Sequence, residues 1–150
     1  MGFLKKQKVG FYLNAVVWIL AIASLVIYVS NVNKPYYKDM NTSVVFMMIG
    51  AIISMLVAFV LVQVSENTVM RIISDILRIT AAVLVIEAGV KFITMRVESF
   101  GYIFGSNLEM GNTAAFTAAN QAVVGIVVFV VTWLLALIAS FFSIGKKVQK

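Results

Sequence analysis

Glu87 and Lys91 stand one helical turn apart in a hydrophobic stretch, acid before base, the favourable order for an i,i+4 pair. Thr80, Thr94 and Glu98 fall on the same side of a helix, all five within about 40° of Thr80. A lone charge at the centre of a bilayer costs about 2.5–3.5 kcal/mol even on the lenient insertion scale. The stripe is therefore expected to be buried against protein or water. Three uses are open to it. A structural or assembly pair ranks first, because the acid has a base one turn away and Lys91 is near enough to a span end to snorkel. Transport or ligand binding ranks second. The other apolar stretches offer no complementary ionisable group to complete a proton or ion relay, and catalysis ranks third, since only carboxylates, Lys, Arg, Tyr and Ser/Thr remain for chemistry.

Other chemistry is scarce. The chain has no Cys and no His, which removes thiol nucleophiles, imidazole bases and the commonest zinc and haem ligands. No glycine-rich phosphate loop, metal-spaced cluster or nucleophile elbow can be assembled. No catalytic residue, metal site or cofactor is assigned, and a non-enzymatic protein is expected.

Two further groups are candidates for contact. Ala114, Ala118, Ala122 and Gly125 recur at 4-4-3 spacing. Small residues of this kind let helix backbones approach closely, and Asn120 and Gln121 lie beside them as hydrogen-bonding groups. This face is expected to pack helices, within the chain or against a partner. The segment 97–112 reads as an outer loop in which Phe100, Tyr102 and Phe104 alternate with glycines, suited to the membrane interface or to a partner. Ser106 and Glu109 have capping-box spacing.

The elements that must position these residues follow from composition. Hydrophobic residues make up 62% of the 150 and charged residues 12%, against roughly 45–50% and about 25% in soluble domains. Mean hydropathy is +1.02. These values exclude a soluble enzyme, a disordered tail and a nucleic-acid module. A span needs about 20 mostly apolar residues, and four stretches qualify: 9–29, 44–64, 69–96 and 113–144, the last including a polar-dotted approach from Thr113. The fold class expected is all-α, an integral membrane bundle of four transmembrane helices forming one domain. Outer loops are expected at 30–43 and 97–112. Pro35 and the interfacial pair Tyr36-Tyr37 mark the first. Around the inner connection, Asp75 has i,i+4 and i,i+3 spacing to Arg71 and Arg78.

Orientation follows from Lys and Arg. Lys5, Lys6, Lys8, Arg71, Arg78, Lys146, Lys147 and Lys150 fall on one side of a four-span chain. Lys34, Lys38 and Arg96 fall on the other, balanced by Asp39, Glu98 and Glu109. Both termini are thus expected in the cytoplasm and the chain in the plasma membrane. Ala21-Ile22-Ala23 resembles a signal-peptide cleavage site, but hydrophobicity continues through Val29, as in an anchor. The partners expected are the lipid bilayer and another membrane protein or a second copy, with no nucleic acid. The function expected is an accessory or interaction subunit of a membrane assembly. The alternative is a small oligomeric transporter or channel that uses Glu87 and Lys91.

Overall fold

The computed structural model describes residues 7–64 and 67–144. Of the expected cationic side, Lys5, Lys6, Lys146, Lys147 and Lys150 lie outside the described residues. Among the described residues the chain is all-helical: α1 (Val9–Val32), α2 (Thr42–Val64), α3 (Thr68–Gly105) and α4 (Thr113–Ser140), with one 3-10 turn at Asn107–Glu109. Three of the helices, α1, α2 and α4, are long and apolar enough to cross a membrane. The longest, α3, is interrupted by Glu87, Lys91 and Arg96.

The helices close a ring in which α1 packs on α2, α2 on α3, α3 on α4 and α4 on α1. Spacing explains which residues turn inward. Buried positions on α1 are Asn14, Val17, Ala21, Ser24, Tyr28 and Asn31, a 3-4-3-4-3 series. On α4 they are Ala118, Ala122, Gly125, Phe129, Thr132 and Ala136, with steps of four and three. A repeat averaging 3.5 residues keeps one seam facing its neighbours in a left-handed bundle. The seams are sorted by size more than by polarity. Ala, Ser, Gly, Asn and Thr lie inside, whereas the exposed positions are dominated by Val, Ile, Leu and Phe, such as Ile19, Ile53 and Val127. Small residues bring the backbones together, as membrane helices require in the absence of a hydrophobic drive between them.

Two glycines show how close that approach is. A Cβ on Gly10 would lie 2.5 Å from the Ser143 carbonyl oxygen, and one on Gly125 would lie 3.0 Å from both Ile27 Cγ2 and Phe92 Cε1. The start of α1 thus rests on the backbone that follows α4. In the centre of the ring, Ser24 and Thr132 hydroxyls meet at 3.1 Å. One hydroxyl donates to the other while the acceptor donates back to its own helix, Ser24 having the Leu20 carbonyl within reach and Thr132 that of Val128, so neither hydroxyl is buried without a partner.

The segment expected as an outer loop from Val97 is largely helix. Phe100 and Ile103 continue the inward face of α3 from Arg96, and Ile103 packs with Ala115 and Ala119 beneath Tyr36 and Phe100. That burial outweighs the roughly 1 kcal/mol helix cost of each of Gly101 and Gly105. The chain leaves the helix at Ser106, whose backbone is extended. The expected capping box is not formed. Ser106 Oγ donates backward to the Tyr102 carbonyl, and Asn112 caps α4 instead, its side-chain oxygen accepting from the Ala115 N–H at 3.2 Å.

Candidate functional site: the two faces of the third helix

Each face of α3 carries polar groups, and the two sets do different things. The inward face holds two arginines. Arg78 is 3% exposed and gathers one end of the ring. Its Nε donates to Asn14 Oδ1 on α1 at 3.1 Å, and Nη1 donates to Asp75 Oδ1 at 2.9 Å. Nη2 donates to the carbonyls of Ala139 and Phe142, the latter at 2.9 Å. Ala139 lies in the last turn of α4, where its carbonyl also accepts from the Phe142 N–H at 3.1 Å, and Phe142 follows the helix end. A guanidinium there also meets the negative end of the helix dipole. Nearby, Ser74 Oγ donates to the Ala58 carbonyl of α2 at 3.1 Å. Gln7 and Gln63 exchange side-chain hydrogen bonds between the segment preceding α1 and the end of α2.

Arg96 gathers the other end and is fully buried. Its Nη2 donates to Asp39 Oδ1 in the α1–α2 connection at 2.7 Å. Its guanidinium carbon stands 3.6 Å from the centre of the Tyr37 ring and 5.6 Å from that of Phe92. Nε and Nη1 find no hydrogen-bond partner among the described residues, so Asp39 and the two aromatic faces hold the charge. Burial raises the Tyr37 phenol above its ordinary range, with Arg96 pulling the other way. The same connection is fastened at Asn41. Its N–H donates to Tyr28 Oη at 2.8 Å, and Tyr28 Oη donates to its carbonyl at 3.1 Å. Further out, Tyr36 Oη donates to Glu109 Oε1 at 3.2 Å, which joins the two connections at this end.

The outward face holds the stripe expected to be buried. It is not buried: Thr80, Glu87, Thr94 and Glu98 are exposed and Lys91 is half-exposed. Phase is the reason. Glu87 is nine residues from Arg78 and nine from Arg96, which is 2.5 turns at about 3.6 residues per turn. It therefore points opposite to the two arginines that occupy the interior. The expected Glu87–Lys91 ion pair is also absent among the described residues. Ion pairs there are Arg78–Asp75 and Arg96–Asp39.

No protein-family model, curated protein or solved structure matches the chain.

The remaining candidates divide between interior and surface. Ala118, Ala122 and Gly125 are buried, while Ala114 and Asn120 are exposed. The small-residue face therefore packs within the chain against α1 and α3, and Asn31 Nδ2 donates to the Ala118 carbonyl at 2.9 Å. Gln121 is half-buried and donates to Ser30 Oγ at 2.9 Å. Among the aromatics, Phe100 is half-buried, whereas Tyr102 and Phe104 are exposed. Phe104 makes an edge contact with Phe116 of α4. An apolar cleft of about 250 Å³ runs between α3 and α4 on the outside of the ring, bordered by Ile79, Val83, Trp133 and Leu137.

Sequence reasoning missed that both arginines are interior: it counted Arg96 only as an orientation charge, and Arg78 as that and as the i,i+3 partner of Asp75, a pair that forms at 2.9 Å. A signal was present. Arg78 and Arg96 are eighteen residues apart, or about five whole turns, in phase with Ala81, Val85, Ala88 and Phe92 on the inward seam.

Proposed function

We propose that this chain is a four-span plasma-membrane protein, both termini cytoplasmic, that serves as a non-enzymatic interaction subunit and meets its partner on the outward face of α3. The carrying observation is the exposure of Glu87 halfway between Arg78 and Arg96. Eighteen residues at about 1.5 Å per residue separate the arginines by about 27 Å, close to the ~30 Å hydrocarbon thickness. With the arginine clusters at the two borders of the apolar band, Glu87 lies near the midplane on the surface that lipid would otherwise cover. Intramembrane charge is expensive there, and such groups face protein or water. The middle parts of the other helices turn Ile19, Ile53 and Val127 outward, as lipid contact requires. Since Glu87 points away from the ring, its position counts against an ion path through the middle of a single copy.

The test is Glu87→Leu, read by the size and abundance of the native complex on blue-native gels. Loss of the large complex is expected, because leucine removes the polar contact that holds the partner. A complex of unchanged size at equal or higher abundance would overturn the proposal, since a lipid-facing acid is only a burden.

A further inference from the structure

We infer that the outward face of α3 is a self-association seam, and that what covers Glu87 is α3 of a second copy of this chain, running parallel. The inference rests on the proposed function and names its partner. Along α3, Thr80, Glu87, Thr94 and Gly101 recur at intervals of seven residues, and all four are exposed. Between them stand Val83, Val90 and Val97, also exposed, at 52%, 49% and 62%. The result is a 3-4 alternation in which polar or small residues occupy one position and β-branched valines the other. This is the arrangement of a paired-helix seam, where a polar residue at one core position fixes register and partner number.

The other faces of the molecule support the reading. On α1 and α4, small and polar residues seven or ten apart face protein: Asn14, Ser24 and Asn31 on one, Ala118, Gly125 and Thr132 on the other. Mid-depth outward positions on those helices are large and apolar. In the span between its arginines, α3 has small or polar residues at intervals of seven on two opposite faces, Ala81 and Ala88 inward and Thr80, Glu87 and Thr94 outward. One of these has its neighbours in the ring; the other is left open.

Charge selects a second copy as the occupant. Between the two arginines, with Glu98 lying beyond Arg96, Glu87 and Lys91 sum to zero on this face, so a partner helix with a single compensating base would leave one cation over. A parallel copy brings the same acid and base at the same depths. Each Glu87 carboxylate then lies one turn below Lys91 of its own helix and Lys91 of the copy, within reach of both long side chains. Thr80 and Thr94 add hydroxyls one heptad to either side, and such interhelical hydrogen bonds contribute modestly in membranes. The symmetry is two-fold and closed, so the same seam on both copies is consumed and assembly stops at the dimer.

The chain has no cysteine, so single cysteines report contact without background. Val83→Cys, Val90→Cys and Val97→Cys are placed on the seam. Ile53→Cys on α2 and Val127→Cys on α4 are exposed mid-helix controls. Purified protein reconstituted in phosphatidylcholine–phosphatidylglycerol vesicles is oxidised with copper phenanthroline. Disulfide dimers at the three seam positions and none at the controls are expected. Glu87→Lys in the Val90→Cys background should abolish the dimer, and Glu87→Lys with Lys91→Glu should restore it, because the swapped pair is again self-neutral. Absence of seam dimers, or equal dimers at seam and controls, overturns the inference. If seam dimers are absent from vesicles but Glu87→Leu still dissolves a larger complex in the native membrane, the partner is a different protein. The self-association inference then fails while the interaction-subunit reading stands.

Discussion

Arg78 and Arg96 stand eighteen residues apart on α3 with both side chains pointing into the ring, each tying a different end of the molecule together. Arg78 reaches α1 and the carbonyls of Ala139 and Phe142, at and just beyond the end of α4, whereas Arg96 reaches the α1–α2 connection through Asp39 and Tyr37. Glu87, midway between them, faces the other way. The helix thus uses cations to close the bundle and an acid to meet the outside.

Arg78 is expected to be the most sensitive of the exposed-or-buried charges at its end. Arg78→Met strands Asn14 Oδ1 and the Phe142 carbonyl and removes one of the two donors to the Ala139 carbonyl, which keeps the Phe142 N–H. Hydrogen bonds to charged groups contribute about 1.5–3 kcal/mol each, though not additively. A fall in thermal midpoint in detergent and faster hydrogen exchange in the last turn of α4 are expected. Arg78→Lys should recover only part of the loss, because a point charge cannot replace the guanidinium fork.

Asp39 neutralises a fully buried guanidinium, so Asp39→Ala should cost more than a surface charge normally does. Asp39 is itself 38% exposed on its side chain, so solvent screens part of the pair. A loss of about 1.5–3 kcal/mol is expected from the charge-assisted bond. Arg96→Met combined with Asp39→Ala should be less destabilising than the sum of the two single changes. Chemical denaturation in mixed micelles across the four-member cycle measures the coupling.

Backbone contact, not partner binding, should dominate at Gly10 and Ala118. Gly10→Ala would push against the Ser143 and Phe142 carbonyls, and Ala118→Leu would wedge α1 from α4. Overpacking of this kind costs about 1–3 kcal/mol. Both variants should lower the amount of folded protein. Gly50→Ala, whose new methyl would sit 3.4 Å from Leu84 Cδ1, should be tolerated. Fluorescence-detected size-exclusion after heating compares the three.

The sequence made the helices readable and left their facing obscure. Runs of Val, Ile and Leu locate α1, α2 and α4 within a few residues, because length and hydropathy alone decide whether a stretch can span. Which side faces in is written in residue size, as Ala118, Ala122 and Gly125 show, and a polarity pattern cannot reveal it when both faces are apolar. Glu87 and Lys91 attracted a burial expectation because they are ionisable. Their phase against Arg78 and Arg96 was the better guide. The helical run through Phe100 and Ile103 was masked by Gly101 and Gly105, whose weak helix propensity is overridden by packing on Ala115 and Ala119.

Orientation is testable without reference to any partner. Reporter fusions after Lys150 and within residues 65–67 are expected to read as cytoplasmic, and fusions near Tyr36 and Asn107 as external, from the asymmetry of Lys and Arg. A C-terminus reporting the outside would contradict both the orientation and the even number of spans.

The covering of the outward face of α3 by protein is tested most directly by a photoreactive side chain at Val90, one turn from Glu87, with Val127 on α4 as the comparison. Both positions are exposed and lie near the middle of their helices. Irradiation in native membranes should give a protein adduct of defined mass from position 90 and lipid adducts alone from position 127. Lipid adducts alone from both positions would contradict the account, leaving Glu87 as an acid in contact with hydrocarbon.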